Sequence, residues 1–189
     1  MTAEVADADL AVRAGAGDRR AFDQLVLRHK EPLFRLARSY VGVPADAYDV
    51  LQDTFISAWL AIGRYDSQRD FATWLRTLLL NKCRDYGRRQ TVRRRLLQLF
   101  AREQKSAPPH QDAAVEHDDP QTRRLAALDA AIAELPSFYK EPLLLTVLSG
   151  LTQQEAAVQL GTTAKAIEMR IRRAKQKLAE NHRLTDAEG

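Results

Sequence analysis

The sequence predicts an all-α chain, built as two small helical domains joined by a flexible linker. Three observations carry that prediction. Apolar residues recur at helical spacing along most of the chain, and no stretch alternates with period two. Most aromatic residues, from Phe22 to Tyr86, fall before residue 90, which gives the first block a core of its own. Residues 96–122 lose the helical period and carry Ala107-Pro108-Pro109-His110 and the acidic run Glu116-His117-Asp118-Asp119, so they read as a linker.

The elements follow in order. Residues 20–40 place Phe22, Leu25, Val26, Leu33, Phe34, Ala37 and Tyr40 at helical spacing, with Pro32 set to kink or split the helix. Gly42 and Pro44 mark a turn. Residues 47–62 carry Leu51, Phe55, Ala58, Trp59 and Ile62 on one stripe and Asp49, Gln52 and Asp53 on another face, with Gly63 as the stop. Residues 70–88 turn Phe71, Trp74, Leu75, Leu78 and Leu79 inward. Leu96, Leu97, Leu99 and Phe100 are apolar enough to carry that helix into the linker. Beyond it, Leu125, Leu128, Ile132 and Leu135 share a helix face closed by Pro136, and a further helix runs from about Ser137 to Ser149.

Composition excludes several classes. With 189 residues the chain makes one domain or two small ones, and its apolar content of 45% suits a soluble protein. No apolar run approaches the ~18 residues that span a bilayer, so no membrane insertion is expected. The first 20 residues lack a signal core, and Cys83 is the only cysteine. A reducing cytoplasmic location is the expectation. The four histidines are scattered and no phosphate loop or metal spacing occurs, so neither an enzyme, a metal nor a cofactor is expected. Net charge is only +4, but the cations cluster. Eleven lie between Arg69 and Lys105 against Asp70, Asp85 and Glu103, and seven lie between Lys165 and Arg183 against Glu168 and Glu180. Two basic stretches on a nearly balanced chain suggest two contacts with a polyanion; a solvated basic face is the alternative for either alone.

Residues 151–178 have the form of a helix-turn-helix. Thr152 and Glu155 make a capping box, Gly161 supplies a left-handed turn residue, and Thr162 or Thr163 caps the next helix. Ile167, Ile171, Ala174 and Leu178 form a narrow inward stripe. Thr163, Ala164, Lys165, Glu168, Arg172, Arg173 and Lys175 are the candidates for DNA contact, because the start of such a helix reaches base edges while flanking cations bind phosphates. An ordinary amphipathic hairpin is the alternative.

A second constellation narrows the reading. Asp46-Ala-Tyr-Asp49-Val-Leu-Gln52-Asp53-Thr-Phe55-Ile-Ser-Ala-Trp59 precedes Phe71-Ala-Thr-Trp74-Leu and Asn81-Lys-Cys-Arg84-Asp85-Tyr86-Gly-Arg88-Arg89. With the terminal helix-turn-helix, this resembles a bacterial RNA polymerase sigma factor of the extracytoplasmic-function (ECF) group. The resemblance implies a sigma-two domain over 8–92, a linker over 93–122 and a sigma-four domain over 123–184. It implies that the chain binds core RNA polymerase and promoter DNA, directs initiation from −10 and −35 elements in a stress response, and answers to an anti-sigma factor. It assigns Asp49, Gln52 and Asp53 to the polymerase. It assigns Asn81, Lys82, Arg84, Arg88, Arg89 and Phe71 to the −10 strand, where a base is held out of the stack and the backbone rests on cations. Trp74 reads as core. The recognition-helix candidates go to the −35 element. Tyr48 and Glu168 depart from the family pattern; a carboxylate at 168 accepts from cytosine and repels phosphate. The elements lie about two turns of B-DNA apart, ~70 Å. Residues 97–121, fully extended, reach at most ~80–90 Å. A helix-turn-helix regulator acting without core polymerase is the alternative function.

Overall fold

The computed structural model describes residues 5–103 and 120–187, and among them every regular element is helical. Eight α-helices follow in order: α1 Asp7–Gly15, α2 Arg19–Val41, α3 Pro44–Ala61, α4 Phe71–Glu103, α5 Pro120–Glu134, α6 Ser137–Val147, α7 Gln153–Leu160 and α8 Ala164–Ala187. A single 3-10 turn at Ile62–Arg64 follows α3.

Local chemistry explains the boundaries. Asp18 caps α2, accepting from the Ala21 backbone N–H at 3.2 Å, and Pro44 opens α3, where its missing N–H is no loss. Asp70 accepts from the Thr73 N–H at 2.7 Å and starts α4. Pro32 does not divide α2: the helix runs unbroken through it, with the proline on the exposed side. Neighbouring turns absorb the lost backbone bond, because Leu25, Leu33, Leu36 and Ala37 anchor both halves in the core.

Residues 93–103 continue α4 and α5 begins at Pro120. The stretch 104–119, with its Pro-Pro and acidic runs, lies outside the described residues.

In the first unit α2 packs against α1, α3 and α4. Its buried side chains include Leu10, Leu25, Leu36, Leu75, Leu79 and Cys83. The second unit packs α8 across α6 and α7, with Ile167 and Ala174 fully buried. The units do not stand apart. α5 and α6 lie on α2, and the buried core runs on continuously from the first unit into Ile132, Leu144 and Leu145.

Candidate nucleic-acid interface

The helix-turn-helix forms from short-range interactions. Thr152 and Glu155 complete the capping box: the Glu155 N–H donates to Thr152 Oγ1 at 3.2 Å and the Thr152 N–H to Glu155 Oε2 at 2.8 Å. Gly161 turns the chain with φ +62°. Thr163 caps α8, accepting from the Ala166 N–H at 3.2 Å. The expected stripe holds: Ile167 and Ala174 are buried and Ile171 and Leu178 half-buried. Thr163, Lys165, Glu168, Arg172, Arg173 and Lys175 are exposed, while Ala164 is half-buried against the core. Lys165, Glu168, Arg172 and Lys175 share one face, with Arg173 on its flank. Lys165 Nζ lies 2.8 Å from Glu168 Oε2. That hydrogen bond and the Lys165 charge, with a smaller effect of Arg172, hold the Glu168 carboxyl below its ordinary range. Arg170 turns away from this face; its guanidinium stacks 3.7 Å from the Phe138 ring centroid.

On the first unit, Asp49, Gln52 and Asp53 are exposed on one side of α3, with Ile56 and Leu60 exposed beside them at helical spacing. Asp49 and Asp53, with Asp46 also on α3, line a small cleft with Lys82, Asp85, Tyr86 and Arg89 from α4. The Tyr86 hydroxyl donates to Asp46, and burial followed by that bond pushes the phenol up to about 12.

The residues expected to follow the strand divide between two sides of α4. Asn81, Arg84 and Arg88 share one side, and Lys82 and Arg89 face the cleft with α3. Asn81 is exposed and its Oδ1 accepts from Arg84 Nη1 at 3.0 Å. Arg88 is exposed and paired with Asp85. Phe71 requires a correction as a base-stacking residue. Its ring is only 2% exposed, packed between His29, Tyr65 and Trp74 at centroid distances of 5.4, 5.3 and 5.4 Å. Trp74, read as core, is half-buried. Cys83 is fully buried, and burial pushes its thiol up to about 12.

Sequence reasoning missed a polar network between the units. Glu141 on α6 holds Arg84 through two bonds, Nη2–Oε2 at 2.5 Å and Nε–Oε1 at 2.7 Å. The Tyr40 hydroxyl lies 3.1 Å from Glu141 Oε1 and 2.9 Å from Ser137 Oγ. Lys140 donates to the carbonyls of Tyr40 at 2.9 Å and Ala133 at 2.5 Å, and burial pulls its ammonium down to about 8. Asp129 accepts from Ser39 at 2.8 Å and pairs with Arg38 at 3.1 Å. On α7, Gln159 Nε2 donates to the Thr73 carbonyl at 2.9 Å and to Thr77 Oγ1 at 3.0 Å, while its Oε1 accepts from Arg76 at 3.3 Å. One signal was available in the sequence: Lys140 and Glu141 precede Leu144 and Leu145 by four residues each, which places two charges on the apolar side of α6.

Comparison with known proteins identifies the family. A family profile described as Sigma-70 region 2 matches residues 25–104, and one described as Sigma-70, region 4 matches 125–178. The RNA polymerase sigma factor NccH of Alcaligenes xylosoxydans xylosoxydans is 40% identical over 186 residues, covering 94% of this chain and 95% of its own. CnrH of Cupriavidus metallidurans, also an RNA polymerase sigma factor, is 39% identical with 95% of each chain covered. A solved structure of CnrH in complex with the cytosolic domain of CnrY has a TM-score of 0.68 at 34% identity, over 97% of this chain and 99% of that one. The ECF RNA polymerase sigma factor SigM of Mycobacterium tuberculosis is 31% identical, covering 93% of this chain and 84% of its own.

Proposed function

The chain belongs to the ECF group of sigma-70 RNA polymerase sigma factors, and from that premise we propose how its surfaces share the work. As a sigma factor it binds core RNA polymerase and directs promoter-specific initiation. In this reading the exposed side of α3, with Asp49, Gln52 and Asp53 beside the apolar Ile56 and Leu60, docks on the polymerase. Asn81 captures a −10 base, and Arg84 and Arg88 on its side of α4 hold the strand backbone. Lys82 and Arg89 sit in the cleft with the α3 carboxylates, where strand and polymerase surfaces adjoin. Lys165, Glu168, Arg172 and Lys175 enter the −35 major groove, with Arg173 on phosphate.

One observation carries the reading most directly: α8 buries Ile167 and Ala174 and thereby leaves those four polar side chains together on the solvent face. The likeness to CnrH, solved in complex with the cytosolic domain of CnrY, supports a matching anti-sigma partner that holds this factor until a stress signal releases it. In this reading the factor acts in the cytoplasm, beside polymerase and promoter. No helix among the described residues is long and apolar enough to cross a membrane. RNA synthesis itself remains the polymerase's chemistry.

Run-off transcription with purified core polymerase and a genomic promoter library tests the whole. Promoter-selective transcripts are expected; binding to a palindromic duplex without polymerase would instead mark an ordinary regulator. Asn81→Ala is expected to impair promoter opening more than closed-complex formation. Equal loss in both steps would remove Asn81 from base capture.

A further inference from the structure

A carboxylate stands in the middle of the cationic face of α8. Lys165, Arg172 and Lys175 suit phosphate, whereas Glu168 among them repels it. We propose that Lys165 and Glu168 act as one unit that reads a single C·G base pair across both strands: Glu168 accepts from cytosine N4, and Lys165 donates to O6 and N7 of the guanine opposite. This role rests on α8 lying in the −35 groove, as proposed above, and names one base pair selected there.

The ion pair already has the spacing of that base pair. Lys165 Nζ donates to Glu168 Oε2 at 2.8 Å, so a donor and an acceptor are presented side by side. In a C·G pair cytosine N4 and guanine O6 are hydrogen-bonded to each other at about 2.9 Å, and both are read in the major groove. Donor then faces acceptor at both places. Lys165 has three N–H donors, and the Glu168 carboxylate has about four lone-pair sites. Each side chain can keep its partner and still bond a base.

The local fold holds the pair outward. Thr163 caps α8, accepting from the Ala166 N–H at 3.2 Å, and fixes the first turn. Ile167 is fully buried, and the two exposed residues stand on either side of this anchor. Both lie near the start of α8, the part of a recognition helix that reaches base edges. The bond from Lys165 keeps the carboxyl below its ordinary range, so it enters the groove ionised. An exposed ion pair contributes little to stability, so bracing the helix does not account for a carboxylate here.

The base edges discriminate among the four pairs. Beside cytosine N4 lies the C5–H edge, which has no acceptor to repel Glu168, and beside guanine O6 lies N7, a second acceptor for Lys165. An A·T pair also sets a donor, adenine N6, next to an acceptor, thymine O4. There Glu168 meets the repelling adenine N7 and Lys165 meets the thymine methyl. Reversing either pair sets Lys165 against an amino group and Glu168 against a carbonyl. Only C·G in one orientation makes every contact attractive.

Holoenzyme assembled from the full chain and core polymerase tests this on promoters randomised across the upstream element, with the transcribed templates sequenced. Wild type is expected to prefer C·G at one position by roughly fivefold or more. Glu168→Gln is expected to shift that position alone toward A·T, because a glutamine amide fits adenine N6 and N7. With 7-deazaguanine at that pair, transcription by the wild type is expected to fall and that by Lys165→Ala to stay unchanged; an equal fall in both would overturn the guanine contact. Base preferences identical in wild type and Glu168→Gln would overturn the reader. So would a uniform fall on all templates, which marks a pair that only braces α8. In both cases α8 keeps its place on the −35 element if Arg172→Ala still weakens selection there. Loss of that effect too would instead remove α8 from the element.

Discussion

Gly42 joins a backbone requirement to a contact between the units. It ends α2 in the left-handed region with φ +85°, its N–H donating to the Arg38 carbonyl. A Cβ at this position would stand 2.7 Å from the Ala133 Cβ on α5. Gly42→Ala therefore adds crowding at the docked surface to the ~1–2 kcal/mol of left-handed strain. Gly161→Ala is the comparison, since Gly161 has φ +62° and open space around it. Calorimetry is expected to show a larger loss of Tm at Gly42; equal losses would mean that the crowding against Ala133 is relieved at no cost. Lys140 gives a pH signature. Burial holds its ammonium at about 8 against an ordinary value of 10.5, although Glu141 and Cys83 favour the charge. Between about 8 and 10.5 this amine holds more proton in the unfolded chain than in the folded one, so its own contribution to stability rises with pH across that window. The rise is at most ~3 kcal/mol, at ~1.4 kcal/mol per unit. The neighbouring Cys83 thiol, pushed up to about 12, and the Tyr40 phenol, pushed higher by burial, keep protons that the unfolded chain releases, so above about 9 they act with the opposite sign and the Lys140 contribution is read as a difference between variants. Urea titrations at pH 8 and pH 10 are expected to show a more favourable change of stability with pH in the wild type than in Lys140→Met; equal changes in the two would exclude a lowered Lys140 ammonium.

Among the elements, the helix-turn-helix was the most legible because its determinants are local. Cap, turn glycine and inward stripe all lie within 28 residues, and each occupies its expected place. Thr152→Ala removes the hydroxyl that accepts from the Glu155 N–H and leaves only the backbone N–H at 152 to bond Glu155 Oε2. It is expected to lower stability by ~1 kcal/mol and to loosen α7 beneath α8, read as faster amide exchange in α7; unchanged exchange there would deny the box a structural role. Arg172→Ala is expected to weaken −35 duplex binding, because Arg172 stands on the outward face; unchanged affinity would remove it from that surface. Phe71 was misread because an aromatic ring before a basic helix suits stacking and core equally. Its burial is decided by His29 and Tyr65, which the sequence does not place beside it. In the C-terminal third of α4 the periodic pattern fades, which left the start of the linker open in the sequence. Leu96, Leu97 and Leu99 are exposed, yet Arg, Leu and Gln are good helix formers, so propensity continues the helix after the apolar stripe has ended. α1 is short, and its three buried residues Leu10, Ala11 and Ala14 make a weak pattern.

At the scale of the molecule, docking was invisible in the sequence for a physical reason. Arg84 and Glu141 are 57 residues apart, and each alone reads as a solvated charge on a helix. The same scale revises the reach of the connector. The helical run to Glu103 replaces extended chain with a rise of ~1.5 Å per residue, and only 17 peptide steps separate Glu103 from Pro120. Whatever path those steps take, they span at most ~56–61 Å. The ten steps from Arg93 to Glu103 add a rigid arm of ~15 Å. The sum, ~71–76 Å, barely exceeds the ~70 Å between promoter elements. Connector length should therefore limit initiation. Deleting Ser106–Ala113 removes eight residues, ~26–29 Å of reach. On a promoter of ordinary spacing, run-off is expected to fall at least tenfold, while competition for core polymerase stays unchanged because the α3 surface is untouched. Shortening the spacer by one helical turn, ~34 Å, brings the elements back within reach and keeps their rotational phase, so transcription is expected to recover. Full activity of the deleted chain at ordinary spacing would show that the connector does not set the distance between the two grips.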